Sequence, residues 1–301
     1  MTAPGDGRAT VGVDIGGTKT RAAVVGPTGE VLASATAPTP AGGVAMLDVA
    51  AGLVERAVAT AGVRVTAVGV GAAGVVDPAA GRVLAASDSF VDWVGTDLRG
   101  GLVDRTALPV TVANDVDAFL VGEATWGAVR GVRSAAGIAL GTGVGGALWL
   151  DGALYRGAGA AGEIGHMPGF GDAVCTCGQR GHLETLASGR SVERRYAEAM
   201  AGAAVGAAEI EALARAGEPV AARVLAEAGH AVGSAVLVVA ALLDVGHVVV
   251  GGGLAGAWDL LEPALLARLR EAPPVSGHPV EVRRAALGAD ATVVGAAALA
   301  R

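Results

Sequence analysis

The sequence predicts an α/β protein built from a duplicated unit, and three observations lead there. Its 301 residues are 52% hydrophobic and 17% charged, enough apolar material for a large core and enough length for two domains. Apolar, β-branched runs alternate with helical stretches, the pattern of strands covered by helices. Both halves also open in the same order: strand, glycine turn, strand, turn, strand.

Residues 10–37 read as three short strands, TVGVDI, RAAVV and VLASATA, punctuated by the turn signals GGTK and GPTGE. A helix is expected over 44–60, then an apolar strand VTAVGVGAAG. The order returns with SAAGIAL, the turn GTGVGG, ALWL, the turn DG and ALYRG. Beyond about residue 187 the chain turns helical, with SVERRYAEAM, AAEIEALARA and an Ala-rich segment over 218–243. A strand HVVV, three glycines and the helix LLEPALLARLREA follow, with Pro263 expected in that helix's first turn, where proline is tolerated. No low-complexity linker divides the chain, so a domain boundary would be a hinge.

The formal charge is −7 and Lys19 is the only lysine, so no basic stripe invites nucleic acid. No run reaches the roughly 18–20 uninterrupted apolar residues that span a membrane. The longest, Ala235 to Leu243, stops at Asp244 and reads as a buried helix end. The start, MTAPGDGRA, lacks the basic and apolar regions of a signal peptide. Two cysteines cannot build a disulfide framework. The expectation is a soluble, cytoplasmic protein without a membrane partner.

Glycine fills 49 positions, which suits tight turns and close backbone approaches. Among the segments that match G-x-G-x-x-G are Gly141, Gly143, Gly146 and Gly251, Gly253, Gly256. About one such match is expected by chance at this glycine content, so context decides. The first precedes strand-like ALWL and reads as a hairpin turn; the second follows a strand and precedes a helix. DIGGTK, Asp14 to Lys19, lacks the spacing of a Walker A loop. An acid ending a strand, two glycines, a hydroxyl and an amine can still cradle phosphate, with the carboxylate facing a metal ion through water. The same residues equally fill an ordinary hairpin. A second turn, GTGVGG, strengthens the phosphate reading, since two hairpins can grip a triphosphate.

His166, Cys175, Cys177 and His182 cluster in sequence and supply enough ligands for a closed, structural zinc site. Gly178 and Gly181 provide the turn that would gather three of them. The other reading is two buried cysteines beside incidental histidines. Asn114 and Asp115 follow an apolar run, where Asp115 suits a general base and either residue suits a helix N-cap. Glu163 and Glu184 flank the cluster, where a rigid loop would hold them for sugar hydroxyls.

Together these residues resemble the ROK family of sugar kinases and repressors, within the actin-like ATPase superfamily. DIGGTKTRAAVV resembles its first phosphate motif, LGTGVGGAL its second, and NDVDA the segment with the catalytic aspartate. AGEIGH with CTCGQRGHLETLASG resembles the family signature, and VVVGGGLA the adenosine-side glycines. The resemblance implies a two-domain actin-like (ribonuclease H-like) fold with duplicated β-hairpin/α units around a cleft. Its smaller domain would be 1–117, with a C-terminal helix at about 289–301 packing back on it, and its larger domain 118–288.

By the same resemblance Asp115 would be the base for the sugar hydroxyl. Asn114, Glu163, His166 and Glu184 would hold other hydroxyls, with Gly74 in a loop lining the pocket. Gly16, Gly17, Thr18, Lys19, Gly141, Thr142 and Gly143 would meet ATP, Asp14 would help place Mg²⁺, and Gly252 and Gly253 would lie beside adenosine. His166 would put one ring nitrogen on zinc and the other on a sugar hydroxyl. A homodimer is also implied.

Two departures matter. His182 stands where the family commonly has a third cysteine, giving Cys₂His₂ in place of Cys₃His. The loop Ala86 to Trp93 is more polar than the family's, and Asp88 adds an acid suited to an amino group. The expected activity is therefore an ATP-dependent kinase acting on the 6-hydroxyl of glucose, kanosamine or an N-acetylhexosamine. A ROK-type sugar-responsive regulator would carry a helix-turn-helix, but only about nine residues precede the first strand. A non-catalytic sugar binder is the other alternative. A dehydrogenase ranks last.

Overall fold

The computed structural model describes residues 8–87, 90–202 and 204–301. Two compact units emerge: residues up to 131 with Leu154–Ala161 and Ala286–Arg301, and Val132–Ala153 with Gly162–Ala285.

The first unit opens with β1 (Ala9–Ile15), β2 (Lys19–Val25) and β3 (Val31–Pro38), then α1 (Gly43–Ala61) and β4 (Val65–Ala72). A small antiparallel pair, β5 (Val75–Asp77) and β6 (Arg82–Ala85), precedes α2 (Leu98–Thr106), β7 (Val110–Asn114) and α3 (Asp115–Thr125). The sheet order is β3-β2-β1-β4-β7, antiparallel among the first three strands and parallel from β1 to β4 to β7.

The second unit repeats this plan. Its strands β8 (Ala135–Leu140) and β9 (Val144–Leu150) form a hairpin, and β10 (Ala153–Tyr155) carries the chain out of the unit. Then come α4 (Glu184–Ala187), α5 (Gly189–Met200), α6 (Ala207–Arg215), α7 (Pro219–Leu243), β11 (His247–Gly251), α8 (Trp258–Glu271) and β12 (Glu281–Arg284). The order β9-β8-β11-β12 matches β2-β1-β4-β7, with the same antiparallel and parallel senses. The echo read from the sequence is a structural duplication.

The last helix, α9 (Ala291–Leu299), returns to the first unit. Strand periodicity explains its place. On β2, Ala22 and Val24 join the cluster under α1 with Leu47, Leu53 and Val54, while Ala23 and Val25 meet Val293, Val294 and Ala297 of α9. Both sheet faces are thus covered. The approach of α9 is very close: a Cβ on Gly12 would lie 1.7 Å from the Val293 carbonyl oxygen, and one on Gly69 1.7 Å from that of Ala296. Only glycine fits at either position.

Glu123, near the end of α3, is fully buried and accepts hydrogen bonds from the backbone of Ala128 (2.7 Å), Ala286 (3.0 Å) and Leu287 (2.9 Å). Those three N–H groups satisfy a carboxylate that burial would otherwise penalise heavily.

Two expectations change in detail. α8 begins at Trp258, so Pro263 lies in its second turn and removes one intrahelical bond. The helix starts earlier than its apolar spacing suggests because a 3₁₀ turn at Gly253–Ala257 feeds directly into it. Among the described residues α7 is the one helix long and apolar enough to cross a membrane, and 61% of its most apolar window is buried. Its last turn is open, however, with Leu242 76% exposed. The segment read as a buried helix end is buried on one face only.

Candidate active site

In the first unit, β1 carries Asp14 one residue from its end, and β7 ends at Asn114. Asn114 is the N-cap of α3: its Oδ1 accepts from the N–H of Val116 (2.7 Å) and Asp117 (3.3 Å). Its Nδ2 donates to the Gly74 carbonyl (2.7 Å), tying the turn after β4 to the helix start. Asp115 is therefore the first residue of α3, and its Oδ1 also accepts from Val116 N–H at 2.9 Å.

Desolvation pushes Asp115 up to about 7, with the charges of Asp14 and Asp117 raising it further. Burial lifts Asp14 to about 6, opposed by Lys19 and Arg21. A half-buried carboxylate with such a value is suited to accepting a proton near neutral pH. Arg156 reaches Asp117 at 3.6 Å and anchors the 154–161 segment to the start of α3.

The Gly16–Lys19 turn joins β1 to β2, with Gly16 N–H donating to the Lys19 carbonyl. Gly17, Thr18 and Lys19 are exposed. Thr39 fixes the turn from below, its hydroxyl donating to the Gly16 carbonyl (2.7 Å) and its N–H to that of Thr18 (3.0 Å). The Phe90 ring sits 3.2 Å from where a Gly17 Cβ would be and stacks on Trp93. Neither Thr39 nor Phe90 is legible as a site residue, since each acts across a long loop. Asp88, read as a sugar contact, lies outside the described residues.

In the second unit the matching turn, Gly141–Gly143, joins β8 to β9 and is closed by Gly141 N–H to the Gly143 carbonyl (2.9 Å). Gly189 N–H holds the Gly141 carbonyl at 2.8 Å. Gly252 follows β11 at φ 88, and a Cβ there would lie 2.5 Å from the Leu140 carbonyl oxygen; Gly253 faces open space. The strand before the three glycines packs beside β8, which brings both glycine segments of this unit to the same sheet end.

His166, Cys175, Cys177 and His182 converge, their ligand atoms all within 4.8 Å of one another. His166 Nδ1 lies 3.2 Å from His182 Nδ1 and 3.8 Å from Cys175 Sγ, and Cys177 Sγ lies 3.4 Å from His182 Nδ1. Tetrahedral zinc with ordinary Zn–N and Zn–S bonds places nitrogens about 3.3 Å apart and nitrogen about 3.6 Å from sulfur. The donor set fits. His166 turns Nδ1 into the cluster and leaves Nε2 3.9 Å from Glu163 Oε2.

Glu184 opens α4, buried. Its Oε1 accepts from Thr176 Oγ1 (2.7 Å) and its Oε2 from Val144 N–H (2.9 Å). Thr176 lies between the two cysteines and carries no motif signal of its own.

The ROK family profile matches residues 10–301. The glucokinase of Streptomyces coelicolor is 38% identical over an alignment of 313 positions, covering 97% of each chain. The kanosamine kinase of Amycolatopsis mediterranei is 36% identical, over 83% of this chain and 82% of its own. The crystal structure of a ROK family glucokinase from Streptomyces griseus, in complex with glucose and AMPPNP, superposes with a TM-score of 0.87. That protein is 34% identical, over 97% of this chain and 99% of its own.

Proposed function

The chain belongs to the ROK family, with its actin-like ATPase fold, and is an ATP-dependent sugar kinase; from that premise we propose that it phosphorylates the 6-hydroxyl of glucose or a glucose-like amino sugar.

Asp115 is the base in this reading. The sugar oxygen forms a bond to the γ-phosphorus, the bond from that phosphorus to the β,γ-bridging oxygen breaks, ADP leaves, and the hydroxyl proton passes to an Asp115 oxygen. The observation that supports the assignment is its raised proton affinity at the start of α3, beside Asp14. Asn114, Glu163 and His166 hold the remaining hydroxyls, and Glu184 has acceptor lone pairs left for one more. The Gly74 loop lines the sugar pocket, positioned by Asn114.

Gly16, Gly17, Thr18, Lys19, Gly141, Thr142 and Gly143 would meet the ATP phosphates, with Gly252 and Gly253 beside adenosine. Phosphoryl transfer needs mainly positioning and charge neutralisation, which backbone N–H groups supply. Asp14 would hold magnesium through water, and magnesium supplies charge neutralisation at the phosphates when bound. His166, Cys175, Cys177 and His182 would hold zinc as a structural ion. A cytoplasmic homodimer completes the proposal.

A glucokinase 38% identical over 97% of this chain and a kanosamine kinase 36% identical over 83% of it support these two acceptors. Asp88 favours the amino sugar through its charge. The test is ADP release with Mg-ATP across glucose, mannose, fructose, N-acetylglucosamine, N-acetylmannosamine, glucosamine and kanosamine. Glucose or kanosamine leading is expected. Silence from a folded, metal-loaded protein would overturn catalysis on these sugars and favour a non-catalytic or regulatory sugar binder.

A further inference from the structure

Glu184 joins two parts of the second unit that no motif connects. Through Oε1 it is held by the Thr176 hydroxyl, inside the Cys175–His182 loop, with Cys175 Sγ also 3.7 Å away. Through Oε2 it holds the N–H of Val144, the residue that follows the Gly141–Gly143 turn. A Cβ on Gly143 would lie 2.4 Å from that same oxygen, so the turn rests directly on the carboxylate. The other end of the metal-binding segment packs closely on Val144 as well. A Cβ on Gly165, next to His166, would lie 1.9 Å from the Val144 carbonyl oxygen.

Val144 is thus hydrogen-bonded at its N–H by one end of the metal-binding segment and packed at its C=O against Gly165 near the other. A turn that presents N–H groups to phosphate works only if its peptide planes are held in one orientation. Hydrogen bonds to an ionised carboxylate are about twice as strong as neutral ones, which makes Glu184 a firm anchor. The Thr176 hydroxyl fixes the rotamer with which Glu184 does this.

We propose that Glu184 is a positioning residue for the nucleotide, locked by Thr176, and that this bridge transmits the order of the metal-binding loop to the Gly141–Gly143 turn. The inference rests on reading that turn as an ATP-phosphate site. It assigns a task to Thr176, which is neither a metal ligand nor a sugar contact.

The test is calorimetric binding of Mg·AMPPNP without sugar to the wild type, Thr176→Val and Thr176→Ser, before and after metal chelation. Valine keeps the shape and removes the hydroxyl, so a loss of about tenfold in affinity is expected, with serine restoring it to within about twofold. Zinc content and melting temperature of Thr176→Val should stay at wild-type values. Chelation should weaken the wild type but add little to Thr176→Val, whose bridge is already cut. Glu184→Gln, which keeps the shape and loses the charge, should weaken analogue binding in the same direction.

Unchanged affinity in Thr176→Val, beside tight wild-type binding, would overturn the inference alone. Equal losses in the valine and serine variants, or a loss accompanied by zinc release, would also overturn it. A wild type that binds no analogue would overturn the nucleotide reading and this inference with it.

Discussion

The negative charge of Asp14, one residue from the end of β1, raises the proton affinity of Asp115, the first residue of α3. Burial is the larger cause, and the two together put Asp115 at about 7. Asp115 is therefore about half protonated near neutrality. The value of kcat/KM should rise with pH and level off above about 7. A profile flat down to pH 5 would remove Asp115 from that role.

The same shift acts on stability, in the opposite direction to the usual surface carboxylate. Between the ordinary 3.8 and about 7 the folded chain keeps a proton on Asp115 that the unfolded chain has released. The contribution is fully present below 3.8 and is lost as pH rises through about 7. Asp115→Asn, which cannot ionise, should melt about 2–4 °C above the wild type at pH 8 and close to it at pH 4. Calorimetry at both pH values checks this.

Asp115→Asn should also lose about 10²–10⁴-fold in kcat while sugar affinity stays within severalfold of the wild type. Single-turnover assays and sugar titrations separate the two. Full turnover in this variant would place the base elsewhere.

Metal analysis should return about one zinc per chain, carried by His166, Cys175, Cys177 and His182. Cys177→Ser should weaken retention against chelators, and His182→Cys should keep it. Metal-free protein with unchanged amide protection over 166–184 would contradict a structural ion there.

Gly69→Ala brings a Cβ to 1.7 Å from the Ala296 carbonyl oxygen, a backbone atom that cannot swing away. Displacing α9 from β4 should cost about 3 kcal/mol or more, read as a fall in the denaturation midpoint. Gly62→Ala, at the end of α1 with open space around it, should cost about 1 kcal/mol, through its positive φ alone.

Much of this molecule is legible in the sequence because its signals are local. β1, β2 and β3 coincide with the runs TVGVDI, RAAVV and VLASATA, and the N-cap reading of Asn114 is what the structure shows for that residue. The Cys/His cluster was legible from spacing because its four residues lie in one short stretch of chain, 166–182. Thr39, Phe90 and Thr176 were not, since each matters through a partner brought near by tertiary packing. The short pair β5 and β6 gave no usable period. The depth at which α9 sits was hidden for the same reason, since Gly12 and Gly69 look like any of the 49 glycines until a helix lies against them.

That depth sets an order of events on the ribosome. The sheet that begins at residue 9 has one face covered by residues 291–299, and the second unit's Val132–Ala153 and Gly162–Ala285 are translated in between. Domains generally fold as units as they emerge. Here the second unit can complete itself while β1 and β4 still expose the backbone groove that α9 will fill. The sheet that precedes the second unit in the chain is finished after it.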